Sequence, residues 1–190
     1  MSVSLRKVRA EDSARLLAWR NSEAVAPYMY SDHRISAAEH GRWFAGLAGA
    51  DDRRYWVIEL DGAPVGLANL ARIDRANRRC EWAYYLADPA TRGRGVGSCV
   101  ELMVLDHVFG PLGLGKLWCE VFVENEAVWK LHEAFGFRRE AHYRRHVYKA
   151  GLPRDVFGLG LLAEEWRTAR PAALARLRAK GYDPEALTIE

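Results

Sequence analysis

From Arg92 to Gly97 three glycines alternate with two arginines and a valine, shortly after an apolar strand that breaks at Asp88 and Pro89. The hydrophobic periodicity that follows predicts a helix beginning at this run. Free N–H groups at a helix start and the positive end of the helix dipole attract anions. Glycines let the backbone approach a phosphate closely, and arginines add charge and hydrogen-bond donors. The run, called the phosphate loop below, therefore predicts a pyrophosphate-binding turn.

The spacing of the phosphate loop excludes two common motifs. A Walker A loop places a lysine and then a serine or threonine after its glycines, whereas Val96, Gly97 and Ser98 stand here. A dinucleotide fingerprint needs the pattern G-x-G-x-x-G, but these glycines alternate with single residues. What remains is Arg-x-x-Gly-x-Gly, read from Arg92 through Gly95. The alternative interpretation is a glycine-rich turn with solvated arginines.

A second motif runs from Asn125 to Phe137 and includes Gly136 just before its end. Its asparagine follows a predicted strand, and the spacing of the apolar residues after it predicts a helix. Asparagine is favoured at helix N-caps, so Asn125 could cap this helix, bind a ligand or do both.

These motifs, in this order, resemble those of the GNAT superfamily of N-acetyltransferases. The resemblance implies an α/β (α+β) fold, the GNAT fold, with a mostly antiparallel central sheet, splayed fourth and fifth strands and helices on both faces. It also implies that acetyl-coenzyme A, as co-substrate, lies in the splay, and that no metal is needed. We expect an extra helix at the C-terminus of this fold.

The same resemblance assigns the cofactor contacts to individual residues. Backbone N–H groups of the phosphate loop would bind the pyrophosphate, while Leu86 and Ala87 would lie near the pantetheine and the acetyl group. Asn125 would be a further contact. The loop residues are Arg92, Gly93, Arg94, Gly95, Val96 and Gly97.

Short motifs in the N-terminal half resemble the N-acetyltransferases of pseudaminic acid biosynthesis, and Rim-type protein acetyltransferases share part of them. The sugar enzymes acetylate the 4-amino group of a UDP-linked 4-amino-4,6-dideoxy sugar. The motifs are Trp19-Arg20-Asn21, Met29-Tyr30, Ile35, Glu39-His40, Trp43-Phe44, Cys80-Glu81-Trp82 and Tyr85.

The resemblance implies an acceptor site built from polar and aromatic side chains. Arg20 and His40 would contact a nucleotide phosphate, because cationic donors bind phosphate oxygens well. Tyr30, Trp43 and Tyr85 would stack on uracil or enclose the sugar. Aromatic residues at helical spacing, such as Trp43, are also typical of an apolar core.

Direct acetyl transfer needs a neutral amine, donors for the oxyanion and a proton for the leaving thiolate, without a covalent enzyme intermediate. Glu81, on the strand leading to the phosphate loop, and His40, on a helix expected above the substrate, are candidate bases. Glu81 could instead pair with Arg78 or Arg79 at the rim, and His40 could lie on a solvated helix face. An amine that binds in its neutral form would need no base.

The acid for the leaving group is where the sequence departs from the family pattern. Many members have tyrosine in the Leu-Tyr-x-x-x-Gly-Phe run of the second motif, and His132 occupies that place here. Histidine could donate the proton or order a water molecule. It could equally fill space while Tyr84, Tyr143 or Tyr148 acts as the acid.

Length and composition suit one compact core around these motifs. The 190 residues are 49% hydrophobic and carry a formal net charge of +3, which gives little reason to expect nucleic-acid binding. Cys80, Cys99 and Cys119 stand singly, as buried apolar residues rather than a disulfide framework, a zinc site or a nucleophile. No apolar run is long enough to span a membrane, so we expect a cytoplasmic protein without membrane contact.

The elements that must position these residues follow from periodicity and turn signals. We predict a helix over about residues 37 to 48 with a capping box from Ser36 to Glu39, and a hairpin over residues 55 to 70. A GNAT domain over residues 1–166 carries the whole site. Residues 167–190 are expected to form an appended helical segment, with Pro171 near its first turn.

Several activities are left open by the sequence. One is acetylation of a UDP-amino sugar, and another is acetylation of a protein N-terminus or of a small amine such as an antibiotic. A third possibility keeps the fold as a coenzyme A-binding or interaction module without catalysis. The expected partner is a small molecule, and a homodimer is left open.

Overall fold

The computed structural model describes residues 1–190 and contains eight strands together with α-helices. The strands are β1 (Val3–Lys7), β2 (Arg54–Leu60), β3 (Ala63–Asp74), β4 (Arg79–Leu86), β5 (Lys116–Phe122), β6 (Arg138–Lys149), β7 (Leu152–Leu162) and β8 (Thr188–Ile189). The helices are α1 (Ser13–Arg20), α2 (Ala37–Ala45), α3 (Val96–Phe109), α4 (Glu126–Ala134) and α5 (Ala163–Ala179).

All strands join one sheet in the order β6-β7-β5-β4-β3-β2-β1-β8. Most neighbours run antiparallel, whereas β4 with β5 and β1 with β8 run parallel. The mostly antiparallel sheet expected from the sequence is therefore confirmed.

Helices cover both faces of the sheet, as predicted. Tyr55 and Trp56 are successive residues of β2, so their side chains point to opposite faces. The Tyr55 ring lies 5.4 Å from Trp43 of α2, and the Trp56 ring lies 5.4 Å from His107 of α3. These two sides are called the α2 face and the α3 face below.

Most of the apolar core lies on the α3 face. Helix α3 is buried along nearly its whole length because it is apolar almost all round. The free thiols of Cys80, Cys99 and Cys119 are buried, as expected for small apolar residues.

Strands β4 and β5 separate partway along their length. They pair only as far as Glu81 on β4 and Trp118 on β5. Beyond this point β4 continues to Leu86 bonded to β3, and β5 continues to Phe122 bonded to β7. The gap is the splay predicted between the fourth and fifth strands, and Glu81 and Trp118 are called its vertex.

Helix α2 begins as predicted and ends earlier. The Ser36 Oγ accepts a hydrogen bond from the Glu39 N–H at 3.2 Å, so the N-cap forms. The Glu39 side chain does not complete the capping box, because it binds His33 at 3.0 Å. The helix ends at Ala45, where Gly46 is its C-cap.

The C-terminal helix begins and ends earlier than predicted, because it spans Ala163–Ala179. Helix α5 begins at Ala163, directly after β7, so the domain boundary predicted after residue 166 lies inside it. Pro171 lies within the helix rather than near its first turn. The helix continues through it because Pro171 is exposed, while Trp166, Ala173 and Leu177 anchor the opposite side in the core.

The last residues of the chain return to the sheet. Strand β8 pairs with β1, and the Glu190 carbonyl accepts a hydrogen bond from Trp56 Nε1 at 2.8 Å. Tyr182 donates from its hydroxyl to the Arg94 carbonyl at 2.7 Å. Residues 167–190 therefore pack against both the sheet and the phosphate loop.

Candidate active site

The phosphate loop enters α3 with free backbone donors. The N–H groups without an acceptor in the chain are those of Gly93, Gly95, Val96 and Gly97. Gly93 and Gly95 have φ angles of 73° and 83°, which residues with side chains rarely adopt, so this loop shape depends on glycine. Free N–H groups at the start of a helix of 14 residues fit a pyrophosphate.

The two arginines of this loop have separate roles. The N–H groups of Arg92 and Arg94 donate to carbonyls within the turn at 3.1 and 3.2 Å, so neither is free for a ligand. The Arg94 guanidinium also turns toward the Met1 sulfur, at 3.0 Å. The Arg92 side chain is exposed. Arg92 therefore supplies a cation at the loop surface, while the guanidinium of Arg94 contacts Met1 at the N-terminus.

The space beside Gly97 is closed by two side chains. A Cβ atom at this position would lie 2.9 Å from the Tyr84 hydroxyl and 3.3 Å from Leu131 Cδ2. Tyr84 lies on the splayed part of β4, and Leu131 lies on α4. The start of α3, β4 and α4 therefore meet with room for backbone only. A phosphate-bearing chain that enters the splay could pass along this contact between α3, β4 and α4.

The other predicted cofactor contacts lie around the same gap. Leu86 is the last residue of β4, and the Ala87 N–H donates to the Val65 carbonyl at 2.8 Å. Asn125 stands at the N-cap of α4, but its side chain makes no capping hydrogen bond. Its amide is therefore available to a ligand, as the family resemblance implies.

Two carboxylates lie near the vertex on the α2 face. Glu81 lies at the vertex on β4, and Glu120 lies on β5 two residues past Trp118, so register and pleat place both on one face. The Tyr30 hydroxyl donates to Glu120 Oε2 at 2.7 Å, and the Tyr30 ring lies 5.3 Å from Phe122. The loop between α1 and α2 therefore covers this part of the splay.

Glu81 has the properties of a proton acceptor. Burial raises the pKa of its carboxyl, Arg72 opposes the rise, and Glu120 adds to it. The Arg72 Nε lies 3.4 Å from Glu81 Oε2, so the partner is not Arg78 or Arg79 as the sequence suggested. The register shift of β3 just before Arg72 explains the difference, because it turns this arginine toward β4. A carboxyl with a raised pKa suits removal of a proton from an ammonium group.

A half-buried arginine and a half-buried tyrosine lie further along the α2 face, and each has one buried polar atom. Arg20, at the end of α1, donates from Nη2 to Ser31 Oγ at 3.1 Å, while its Nη1 is buried without a partner. The Tyr85 hydroxyl is also buried without a partner, and its ring packs edge-on against Trp19 at 6.4 Å. Burial lowers the pKa of Arg20 and raises that of Tyr85. Unpaired buried donors are rare in proteins and mark this pair as a candidate ligand site.

His40 does not join this group. Its Nε2 lies 3.1 Å from Ser13 Oγ, and its ring lies 5.2 Å from Trp43 and 5.8 Å from Phe44. The alternative of a solvated helix face does not hold, because His40 points inward where α2 packs on α1 and is 6% exposed. Trp43 packs against Tyr55 and is half-buried, so it lies outside the buried core.

His132 occupies the predicted position of the leaving-group acid and is enclosed there. It is 2% exposed, its Nδ1 lies 2.9 Å from Glu101 Oε1, and its ring lies 5.1 Å from Trp82. Burial alone lowers the pKa of the imidazole, but the Glu101 carboxylate and the Cys119 thiol outweigh it and raise the pKa to about 10. The raised pKa favours the charged form of the buried His132 ring, and Cys119 is a cysteine that folding brings to a histidine.

Of the tyrosines considered as alternative acids, Tyr84 lies at the splay. Burial raises the pKa of its hydroxyl. Tyr143 and Tyr148 lie on β6 at the edge of the sheet, where Tyr148 is 68% exposed. Their position on this edge strand does not favour a role in the transfer.

A cavity of about 580 Å³ opens on the α2 face beside the splay. It lies between the loop after α1, the end of β5 and the β6–β7 hairpin, and its lining includes Phe122 and Asn125. Charges of both signs line it, among them Asp32, Lys149 and Arg154. Of the site residues predicted from the sequence, Asn125 lines the cavity, whereas Arg20, Tyr30, Glu81 and Tyr85 do not.

The two faces supply complementary parts of one reaction. The α3 face offers donors for a phosphate-bearing chain, and the α2 face offers a carboxyl that accepts a proton. The gap between β4 and β5 connects them. A thioester in the gap and an amine beside Glu81 would meet at the vertex, so the arrangement can support direct acyl transfer.

A search for a metal site and for membrane-spanning helices gives the following. No group of three or more His, Cys, Asp or Glu side chains is arranged to hold a metal ion. None of the helices has the length and apolar character that crossing a membrane requires.

Two functional candidates escaped the sequence prediction. Glu120 lies two residues from both Trp118 and Phe122, so the three side chains share one face of β5. Had the pairing of β5 with β4 at Glu81 been predicted, Glu120 could have been placed near the vertex. Glu101 is a lone acid in the first part of an otherwise apolar helix, which is the signal for a buried partner.

Comparison with protein families gives one match that covers most of the site. Residues 2–138 match the family described as Acetyltransferase (GNAT) domain. This range includes the phosphate loop, the vertex and both faces of the splay.

Comparison with individual proteins gives relatives of similar length. The uncharacterized SPbeta prophage-derived N-acetyltransferase YokL of Bacillus subtilis (strain 168) is 31% identical over 133 residues, 69% of this chain and 73% of that protein. Spermidine N(1)-acetyltransferase of Escherichia coli (strain K12) is 24% identical over 165 residues, 87% of this chain and 88% of that protein.

Among solved structures, the spermidine N-acetyltransferase of Vibrio cholerae in complex with CoA and spermine has a TM-score of 0.82. It is 23% identical in sequence, and the match covers 87% of this chain and 98% of that chain. This likeness shows the fold. Two of these three relatives are named for spermidine, and none is named for a nucleotide sugar.

Proposed function

Because the chain belongs to the GNAT acetyltransferase family, we propose that it acetylates the amino group of a nucleotide-linked amino sugar. The first candidates are UDP-linked 4-amino-4,6-dideoxy sugars, which acquire the acetyl group on the 4-amino nitrogen. The chain is an acetyl-CoA-dependent N-acetyltransferase. The proposal therefore concerns the acceptor and the residues that recognise it.

The two unpartnered donors on the α2 face carry this proposal. Arg20 Nη1 and the Tyr85 hydroxyl are buried without acceptors. Burying a guanidinium without a carboxylate is costly, which is typical of a site that a ligand anion completes. Phosphate or uracil oxygens of a nucleotide would satisfy both donors. A polyamine would leave them unsatisfied and would be repelled by the guanidinium.

The amine of this acceptor lies at the vertex in our proposal. Glu120 attracts the ammonium form and is itself held by Tyr30. Glu81, whose pKa burial raises, then accepts the proton directly or through one water molecule. The neutral amine then attacks the acetyl carbonyl.

The phosphate loop and the splay hold the donor. Acetyl-coenzyme A supplies the acetyl thioester. The free N–H groups of Gly93, Gly95, Val96 and Gly97 bind its pyrophosphate, and the exposed Arg92 adds a cation. Leu86, Ala87 and Asn125 line the path between the loop and the vertex.

A polyamine is the second candidate acceptor, and the acidic vertex favours it. Glu81 and Glu120 are close enough for Glu120 to raise the pKa of Glu81, so a cationic chain would be attracted there. The relatives named for spermidine add to this alternative. The site differs from a purely acidic one by the half-buried Arg20.

The proposal is tested by the release of free coenzyme A with different amines at equal concentration. The panel contains a UDP-4-amino-4,6-dideoxy sugar, spermidine, an N-terminal peptide and a free amino acid, each with a blank lacking amine. We expect the highest kcat/KM with the UDP-linked sugar. Release with spermidine or peptide and none with the UDP-sugar would contradict the proposal. Binding of acetyl-coenzyme A without turnover of any amine would indicate a non-catalytic module.

A further inference from the structure

A buried acid and a buried histidine form a pair on the α3 face that the proposed function does not use. Glu101 on α3 and His132 on α4 have side chains that are 0% and 3% exposed, and they meet at 2.9 Å. The second carboxylate oxygen of Glu101, Oε2, is buried without a partner. An ion pair in such a place is expensive to maintain and is seldom the most stable way to join two helices.

The pair lies directly behind the opening of the splay. The His132 ring lies 5.1 Å from Trp82 and 6.3 Å from Tyr84, which are the residues of β4 beyond the vertex on this face. On the other strand, Cys119 is the first residue of β5 past the last β4–β5 pair. From α4, the imidazole therefore packs against side chains of both strands where they separate.

The ionisable groups that face His132 come from three elements. Glu101 comes from α3, Cys119 from β5 and Tyr84 from β4, while Trp82 and Phe137 add only apolar surface. Burial lowers the pKa of the imidazole, and the carboxylate and thiol together raise it to about 10. The contact with Glu101 at 2.9 Å therefore favours the charged form of the ring.

We propose that Glu101 is a positioning residue for acetyl transfer, which fixes the His132 ring in its charged form so that His132 protonates the departing coenzyme A thiolate. This inference rests on acetyl transfer at the vertex, as in the proposed function. As the bond between the amine nitrogen and the acetyl carbon forms, the carbon–sulfur bond breaks. The sulfur takes a proton from the imidazolium, and the nitrogen, whose first proton went to Glu81 before the attack, loses its second proton to water. Solvent then returns a proton to the neutral imidazole.

The requirement for Glu101 follows from the histidine at this position. A tyrosine in its place is a neutral acid and needs no counter-charge. A histidine among Trp82, Tyr84 and Phe137 would lose its proton near neutral pH, because burial lowers its pKa. The carboxylate of Glu101 reverses this effect and keeps a proton available.

The first test measures the histidine itself and needs no acceptor. Nitrogen-15 NMR shifts of the imidazole are followed between about pH 6 and pH 10 in the wild type and in Glu101→Gln, with His132→Phe used to assign the signal. We expect a charged ring at about pH 8 in the wild type and a neutral ring in Glu101→Gln. A neutral His132 ring in the wild type at this pH would overturn the proposal.

The second test measures kcat against pH with whichever amine proves to be a substrate. Glu101→Gln should lower kcat at about pH 8 by roughly ten- to a hundredfold and move the alkaline fall of kcat to lower pH, with little change in the KM for acetyl-coenzyme A. Glu133→Gln is the matched control, because Glu133 adjoins His132 in sequence and pairs with Arg139 on the surface at 2.7 Å.

The two tests separate this proposal from that of the acceptor. If Glu101→Gln loses activity while the alkaline fall of kcat stays in place, Glu101 has only a structural role and the proposal is wrong. If a polyamine rather than a nucleotide sugar proves to be the substrate, the NMR and pH results expected for Glu101 are unchanged.

Discussion

At the scale of single residues, Glu81 is expected to set the acid side of the pH profile. Burial raises the pKa of this carboxyl, and a base must be deprotonated to act, so kcat/KM should fall on acidification at a pH above the ordinary range of glutamate. Glu81→Gln should lower kcat/KM by about a hundredfold and remove this inflection. Steady-state rates across the pH range measure both effects.

Glu140→Gln is the control for Glu81, because Glu140 is a partly exposed acid whose partner, Lys116, lies 2.6 Å away near the same strands. It should leave the pH profile unchanged. A Glu81→Gln enzyme with wild-type kcat/KM would mean that the amine binds in its neutral form and needs no base.

The Glu101–His132 pair also predicts how stability depends on pH. Folding raises the pKa of His132 from 6.5 to about 10. The contribution of the charged His132 to the free energy of unfolding is therefore complete below pH 6.5 and is lost as the pH rises to about 10. The stability difference between wild type and Glu101→Gln should therefore shrink from about pH 6 to pH 10. Urea unfolding midpoints across this range measure the difference, and a constant difference would contradict the assigned charge.

The roles of residues in local motifs were predictable from the sequence, whereas the packing partners of their side chains were not. The backbone donors of the phosphate loop follow from its glycines, and the N-cap position of Asn125 follows from its place before a helix, although its side chain makes no cap hydrogen bond. The sequence left open a solvated face for His40, because periodicity gives the spacing of residues but not the element that covers each side. The partner of His132 depends on how α3 and α4 pack, which no local pattern contains.

At the scale of elements, the close approach of α3, β4 and α4 at Gly97 is expected to control cofactor entry. Gly97→Ala places a methyl group 2.9 Å from the Tyr84 hydroxyl and 3.3 Å from Leu131, so these elements must separate. We expect the KM for acetyl-coenzyme A to rise by roughly tenfold and thermal stability to fall. Kinetics with saturating acceptor and thermal unfolding measure the two effects.

Gly41→Ala is the matched control for Gly97. Gly41 lies inside α2, and a Cβ there would meet nothing within 4 Å. Alanine should stabilise this helix by about 0.5 to 1 kcal/mol and leave the KM unchanged. An equal rise of the KM for acetyl-coenzyme A in both variants would mean that the contact at Gly97 does not control cofactor entry.

Element types were predictable where strong local signals exist. Ser36 caps α2 and Gly181 follows the end of α5, because cap and stop signals act within a few residues. Pro171 was taken as a helix start, but tertiary contacts of the buried side keep α5 continuous across it. The short β8 has no periodicity of its own and exists because β1 offers a free edge.

At the scale of the whole molecule, the C-terminal segment is expected to support the phosphate loop. The Tyr182 hydroxyl binds the Arg94 carbonyl at 2.7 Å, and its ring would lie 3.1 Å from a Cβ on Gly95. Tyr182→Ala should weaken acetyl-coenzyme A binding several-fold, by the order of 1 kcal/mol for the lost hydrogen bond, and leave the acceptor KM unchanged. Isothermal titration with acetyl-coenzyme A measures the first effect.

Tyr148→Ala is the control for this change, because Tyr148 is 68% exposed on the edge strand. It should bind acetyl-coenzyme A as the wild type does. Unchanged binding in Tyr182→Ala would show that the loop keeps its shape without the C-terminal segment.

The overall fold was predictable because its order of motifs is carried by local sequence, and the splay follows from the resemblance these motifs support. The acceptor site was predictable only in part. It is assembled on the α2 face from α1, the loop after it, β4 and β5, so Tyr30 meets Glu120, and Arg20 comes near Tyr85, only in three dimensions. Long-range assembly of this kind has no signal in one sequence.

Recognition of an anionic acceptor by Arg20 is tested most directly by the kcat/KM values of Arg20→Met for two amines. One is the UDP-linked 4-amino-4,6-dideoxy sugar, and the other is the same amino sugar without UDP. Losing a charge-assisted hydrogen bond should lower kcat/KM for the UDP-linked sugar by roughly ten- to a hundredfold and leave the free sugar unchanged. An equal change for both sugars, or a wild-type enzyme that prefers the free sugar or spermidine, would contradict the account.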